Sequence, residues 1–336
     1  MFLTAAQIER NIAWLLAHGS PPVRYLTHRH LLGTPADAPQ MVEHWQAVEA
    51  CDDVREIFAR QEPDGSWYSG GSWAHSPSYM GKGGWDPYNP KYVTATWILP
   101  LLGEIGYTAA DSRIRRACDY TLTHGYYADP IWGDPTIPAD GTHIRHSPCR
   151  FAQYLIALAE VGLAQDPLVQ RGYEYLLHMQ REDGGWALPQ HYTQMGWTRS
   201  CPWSSYHATR ALYAARQERY AEPLRRALGF LVWHLSTKQD DQIRRFFYHG
   251  HSTVHELQMF ADYRVGLNEQ PVSTLLDWLR TMYHADEGCF RYAGKPISRY
   301  RHSTDEMDAR VAKYRLYHLI EQDWLTYRLT RVAMSL

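Results

Sequence analysis

Nothing in this 336-residue chain approaches the run of roughly 20 apolar residues that a membrane-spanning helix needs, so no transmembrane segment is expected. Charge of one sign is also lacking. The 34 Lys and Arg are interspersed with 36 Asp and Glu for a formal net charge of −2, which argues against nucleic acid as a partner. Five cysteines, an odd number in so long a chain, make no disulfide framework and are expected as free thiols. No Ser/Gly-rich linker or low-complexity break divides the sequence, which predicts one domain over residues 1–336. Near the N-terminus, Glu9 and Arg10 sit inside an amphipathic segment where a signal peptide has an unbroken apolar stretch; a cytoplasmic protein is expected. Phenylalanine is scarce, 8 residues against 13 Trp and 24 Tyr, and rings with a polar handle suit half-buried positions and cavity walls.

Convincing alternation of apolar and polar residues is missing too, so strands are not expected. Apolar spacing near 3.6 predicts helices over 5–18, 41–60, 92–105, 112–123, 148–161, 168–179, 203–216, 223–235, 253–265, 271–283 and 308–320. A short phrase recurs at the ends of three of them: Gln61-Glu-Pro-Asp-Gly-Ser-Trp67, Gln180-Arg-Glu-Asp-Gly-Gly-Trp186 and the degraded His284-Ala-Asp-Glu-Gly-Cys-Phe290. In each, Asp-Gly or Glu-Gly supplies a residue able to take positive φ, and the aromatic folds back over the last turn. The helix ends at Gln61, His124, Gln180, Ser236 and His284 are 63, 56, 56 and 48 residues apart, the period of stacked helical hairpins. First helices, such as Val93-Thr-Ala-Thr-Trp-Ile-Leu-Pro-Leu-Leu102, are the more apolar and are expected inside; second helices, such as Pro223-Leu-Arg-Arg-Ala-Leu-Gly-Phe-Leu231, carry paired charges and are expected outside. Residues 1–40 form an N-terminal helical segment, 41–320 the repeats and 321–336 a tail.

The Gln-x-x-Asp-Gly-x-Trp turns, the inner-helix openings Lys91-Tyr-Val-Thr, Cys149-Arg-Phe and Cys201-Pro-Trp, and the outer-helix start at Asp166-Pro-Leu-Val-Gln-Arg-Gly resemble the prenyltransferase and squalene-cyclase repeat superfamily, over about residues 41–320. Ala13-Trp-Leu-Leu-Ala-His-Gly-Ser-Pro-Pro resembles the start of a bacterial squalene-cyclase-like branch. The resemblance implies an all-α fold, an α/α toroid with inner and outer helix layers around a central cavity, and an enzyme acting on a hydrophobic, isoprenoid-like molecule or other lipid. The Asp-x-Asp-Asp acid of class II terpene cyclases is not in this sequence. Asp240-Asp241 and Asp52-Asp53 come nearest, and both read as solvated helix-end pairs. Asp305 and Asp308 at the expected start of the last inner helix, with His146, are the candidate acids; first-turn carboxylates also complement a helix dipole without any chemical role.

Protein prenyltransferase β subunits hold catalytic zinc with an Asp, a Cys and a His at inner-helix starts. Their cysteine segment is similar to Arg199-Ser-Cys-Pro-Trp-Ser-Ser205 and their histidine segment to Tyr248-His-Gly-His-Ser252, which puts Cys201 and His249 on ligand positions; Arg199 replaces the Asp. Cys149 and His251 are the further candidate ligands, and a Cys/Cys/His set with one open position suits Zn. Free cysteine at such a position equally serves as packing. Arg145, Arg150 and Arg199, with Trp203 and Tyr248, are candidate substrate-binding residues; the arginines equally read as solvated charge. The mouth is expected at residues 143–150, 199–204 and 248–256. The same composition also fits a carbohydrate-active toroid, or a lipid- or partner-binding scaffold without catalysis.

Overall fold

The computed structural model describes residues 2–67, 94–127, 148–187, 196, 198–244, 247–248, 251–292 and 321–336. In chain order its first helices are α1 (Ala5–His18), α2 (Pro21–Leu26), a π-helical turn Thr27–Leu31, α3 (Pro39–Ala50) and α4 (Asp52–Ala59). Then come α5 (Ala95–Ile105), α6 (Ser112–Tyr127), α7 (Pro148–Glu160), α8 (Pro167–His178), α9 (Pro202–Ala214) and α10 (Ala221–Ser236). The last are α11 (Asp240–Ile243), α12 (Thr253–Tyr263), α13 (Gln270–Arg280) and α14 (Gln322–Ser335). Among the described residues the only ladders are β1 (Phe247–Tyr248) with β2 (His251–Ser252) and β3 (Tyr283–His284) with β4 (Cys289–Phe290), each antiparallel and two residues long. The all-α reading holds. The chain forms two compact units, Met1–Ala59 with Val232–Leu336, and Arg60–Leu231.

Two expectations need correction, the helix over 41–60 and the tail, and the N-terminal helical segment gains a detail. The single helix over 41–60 is two, α3 and α4, because Cys51 is extended at φ −64°, ψ 131° and Asp52 and Asp53 occupy the first turn of a new helix, where carboxylates are favoured. The short α2 with its π-helical turn, opened by Pro21 and Pro22 at the first helical positions, has too few residues for a periodic signal. The tail at 321–336 is helix α14, with Trp324, Leu325, Tyr327, Leu329 and Val332 all buried; burial on several sides blurs the one-sided pattern of a surface helix. The helix expected over 308–320 lies outside the described residues.

In the unit Arg60–Leu231, α5, α7 and α9 are buried almost throughout and pack in a row, α7 in the middle. They run parallel. At one end Gln153 Nε2 donates to Thr96 O (2.7 Å); at the other, a Cβ on Gly103 would fall 2.5 Å from Glu160 O, and Glu160 pairs with Arg216 (3.6 Å) just beyond α9. The helices α6 and α8 bury one face each and stand outside this row, α8 hooked to α9 by Tyr173 Oη donating to Ala211 O (3.0 Å).

The recurrent turn ties each hairpin to the next outer helix. Gln61 Nε2 donates to Gly65 O (3.2 Å) inside its own turn and to Arg113 O (2.8 Å) in α6; Gln180 Nε2 repeats the pattern on Gly184 O (2.9 Å) and Pro223 O (2.8 Å) in α10. Both glycines have positive φ, +91° and +84°, and press so closely that a Cβ would lie 2.4 Å from Arg116 O or Arg226 O. The aromatic is buried in each of the three turns, at Trp67, Trp186 and Phe290.

The third turn shows how the unit containing both chain ends is assembled. Trp186 N–H donates to Ser205 Oγ of α9 (2.9 Å), and Phe290 N–H donates in the same way to Thr326 Oγ1 of α14 (2.9 Å). A Cβ on Gly288 would meet Arg10 O of α1 at 3.0 Å, as those of Gly65 and Gly184 meet α6 and α10. Thus α14 takes the inner place and α1 the outer place of one hairpin, joined by the Asn11 side chain to Thr330 Oγ1 at 2.9 Å.

Candidate functional site

The three parallel inner helices of the unit Arg60–Leu231 bring their N-terminal ends to one side, and the most concentrated chemistry among the described residues lies there. Trp97 of α5 and His207 of α9 reach each other across the flank of α7, ring centroids 6.1 Å apart and edge to face. Trp203 and Tyr206 complete the surround, at 4.7 and 5.3 Å from the same imidazole. Tyr206 and His207 are buried at 1% and 2% exposure, while Trp203 is half-buried. Aromatic faces of this kind stabilise positive charge by cation–π attraction and give apolar area to a ligand.

Of the residues expected at the mouth, Cys149 is the second residue of α7 and buried, and Cys201 is the half-buried N-cap of α9. The Cys201 amide donates to Trp186 O (2.8 Å), so the recurrent turn itself positions that helix start. The four-residue spacing from Cys149 to Gln153 puts the thiol on the flank of α7 that α5 covers. Arg199 is exposed, and Trp203 belongs to the aromatic cluster. Arg150 lies in α7, Tyr248 in β1 and His251 in β2, the last two paired with each other in register, but these three side chains lie outside the description. Arg145, His146, His249, Asp305 and Asp308 lie outside the described residues. No group of three or more His, Cys, Asp or Glu that could hold a metal occurs among the described residues. Asp240 pairs with Arg244 (3.4 Å) and Asp52 with Arg55 (3.9 Å), both in exposed settings, as expected of solvated helix-end pairs.

Electrostatics mark the support of the site more than its face. The Asp183 carboxylate is partly buried, which by itself raises its pKa. Hydrogen bonds from Ser200 Oγ (2.7 Å), Ser200 N–H (2.8 Å) and Gly185 N–H (3.1 Å), with the charge of Arg181, outweigh that and hold it below the usual carboxylate range. Asp183 thereby fixes the segment that leads into Cys201 and Trp203. Burial pushes the Cys118 thiol up to about 12, which makes it an inert core residue.

Three residues of the cluster, Trp97, Tyr206 and His207, were not among the expected site residues, nor was Gln153 of α7, which donates to Thr96 of α5. A polar side chain inside an apolar inner helix was the available signal: Gln153 within Phe151-Ala-Gln-Tyr-Leu-Ile-Ala-Leu-Ala159, and His207 within Trp203-Ser-Ser-Tyr-His-Ala208.

Comparison with known proteins places this geometry in context. Over 193 residues the chain is 28% identical to a squalene–hopene cyclase of Bradyrhizobium diazoefficiens, and over 191 residues 27% identical to a protein of Sinorhizobium fredii named "Probable squalene–hopene cyclase". Over about half of its length the chain is distantly similar to squalene–hopene cyclases. Each match covers 54% of this chain and 26% of the relative, so the chain spans about a quarter of the length of the curated relatives it matches. No family model matches the chain. No solved structure matches it.

Proposed function

We propose that this chain is a terpene-cyclase-like enzyme whose helix layers close into an α/α toroid and hold a hydrophobic, isoprenoid-like substrate against the inner helices. The observation that carries the reading is the similarity to two squalene–hopene cyclases. The cluster of Trp97, Trp203, Tyr206 and His207 supports it, because a cyclising polyene needs apolar walls that shape the chain and π faces that steady developing positive charge.

On this reading, Asp305, Asp308 or His146 supplies the proton that starts the reaction, and Arg145, Arg150, Arg199 and Tyr248 bind any polar end of the substrate. Cys149, Cys201, His249 and His251 form a zinc set in which the metal would activate a water or a thiol. The donor chemistry fits in part. Cys149 and Cys201 stand at the N-terminal ends of neighbouring parallel helices, and sulfur donors suit zinc.

Purified protein incubated with squalene and with shorter polyprenyl chains, analysed by gas chromatography and mass spectrometry, is expected to give cyclised products. Trp97→Ala and Trp203→Ala are expected to lower their yield at least tenfold. Absence of product with every chain length, together with binding of an oligosaccharide, would replace this reading with a carbohydrate-active one. Metal analysis tests the zinc set separately: about one zinc per chain is expected, lost in Cys149→Ala with Cys201→Ala, and a metal-free wild type contradicts it.

A further inference from the structure

Helix α5 contains a proline, and its consequence reaches into the neighbouring helix. Pro100 has no N–H, so the carbonyl of Thr96, four residues earlier, has no helical donor at that position. Gln153 of α7 fills the gap, its Nε2 donating to Thr96 O at 2.7 Å in a fully buried setting. This fixes the amide. Were it turned over, two carbonyl oxygens would face each other, so Nε2 stays on Thr96 and Oε1 points away from it. Gln153 is only 2% exposed and Oε1 has no hydrogen-bond partner. Thr94 Oγ1, at the N-cap of α5 two residues before Thr96, is a second buried oxygen without a partner. A buried acceptor left unmade is costly, and a proline that consumes the amide's donor while leaving its acceptor bare is a costly arrangement to keep without use.

We propose that Gln153 Oε1 is the polar anchor of the ligand site, accepting a hydrogen bond from the hydroxyl of an isoprenoid alcohol whose hydrocarbon chain lies on the inner helices. The inference rests on the reading above, and it narrows the substrate class from a hydrocarbon to a molecule with one hydrogen-bond donor. The anchor is an acceptor only, so a hydroxyl suits it and a carboxylate or a phosphate does not. Gln153 selects and positions; it takes no part in proton transfer.

Pro100 makes a clean test possible. In Pro100→Ala the new N–H satisfies Thr96 O, the donor of Gln153 is no longer required, and Pro100→Ala with Gln153→Met then removes only the acceptor. Farnesol and farnesene, which differ in the hydroxyl, are titrated into wild type, Pro100→Ala, Pro100→Ala/Gln153→Met and Pro100→Ala/Gln153→Glu, with binding read by tryptophan fluorescence and folding by circular dichroism. Wild type and Pro100→Ala are expected to prefer farnesol by about tenfold, the worth of one net hydrogen bond. The methionine double variant should lose that preference with its farnesene affinity unchanged, and the glutamate variant, which keeps an acceptor, should retain it. Equal binding of both probes to wild type, or a preference that survives in the methionine variant, overturns the anchor and leaves the apolar-substrate reading standing; Oε1 would then hold a buried water. Binding of neither probe contradicts both. The wild-type comparison needs no variant to fold.

Discussion

Two glycines at helix-connecting turns separate two costs that are usually mixed. Gly162 and Gly184 both have positive φ, +92° and +84°, but a Cβ on Gly162 would meet nothing within 4 Å, whereas one on Gly184 would sit 2.4 Å from Arg226 O. Gly162→Ala is therefore expected to cost only the left-handed backbone penalty, ~1–2 kcal/mol. Gly184→Ala should reach the upper part of the ~0.5–3 kcal/mol range or exceed it, because the turn must also back away from α10. Thermal melts of the two variants compare these outcomes directly. Asp183 provides a pH test at the same scale. Its pKa is depressed in the folded protein, so its contribution is complete above the unfolded value near 3.9 and is lost as pH falls through the lower folded value. The stability difference between wild type and Asp183→Asn should be constant from pH 5 to 8 and vanish in stronger acid; a difference that persists at pH 2 would show that charge is not what Asp183 supplies. Sequence foretold the turn residues well, since Asp-Gly and a covering aromatic are local chemistry. Gln153 and His207 were illegible as site residues because each acquires its role from a partner more than 50 residues away, Thr96 in one case and Trp97 in the other.

Among whole elements, α14 and α1 depart furthest from what local pattern suggests. Residues 321–336 read as a tail, yet Thr326 receives the Phe290 amide as Ser205 receives that of Trp186, and α1 receives the third turn as α6 and α10 receive the first two. The equivalence is written in pairings, and no periodicity within α14 reveals it. Thr326→Val and Ser205→Ala are accordingly expected to destabilise by similar amounts, about 1–3 kcal/mol each, because both leave a buried amide without its acceptor. Denaturant titration of the two variants measures this. The N-terminal elements hold a second pH-dependent contact. His28 of the π-helical turn stacks on His44 of α3 with ring centroids 4.4 Å apart, and its Nδ1 is 3.3 Å from Thr34 Oγ1. From α14, Tyr327 Oη meets His30 of the same turn at 2.6 Å. Burial first, and then the neighbouring His44, hold the His28 pKa below its ordinary value. Stability from neutral His28 is thus present above about pH 6.5 and lost as pH falls through the lower folded value. Amide protection factors across residues 21–50, which correct for the intrinsic slowing of exchange in acid, should fall between pH 6.5 and 5 in wild type, and less so in His28→Asn.

For the molecule as a whole, sequence and structure agree where physics is collective. Apolar load placed α5, α7 and α9 inside and paired charges placed α6 and α8 outside, because a helix buried on all sides cannot carry many unpaired charges. No helix of the described residues is long and apolar enough to cross a membrane. The similarity to squalene–hopene cyclases reaches 26% of the relatives' length, and the function proposed from it concerns the inner layer of α5, α7 and α9. The central claim is that an apolar isoprenoid lies against that layer. A photoreactive polyprenyl probe, cross-linked to the native protein and mapped by peptide mass spectrometry, tests it most directly. Labels are predicted on the inner helices α5, α7 and α9, with Trp97 and Trp203 among the modified residues and with competition by unlabelled farnesol. Labels confined to the outer helices α6 and α8, or unaffected by competitor, would contradict it.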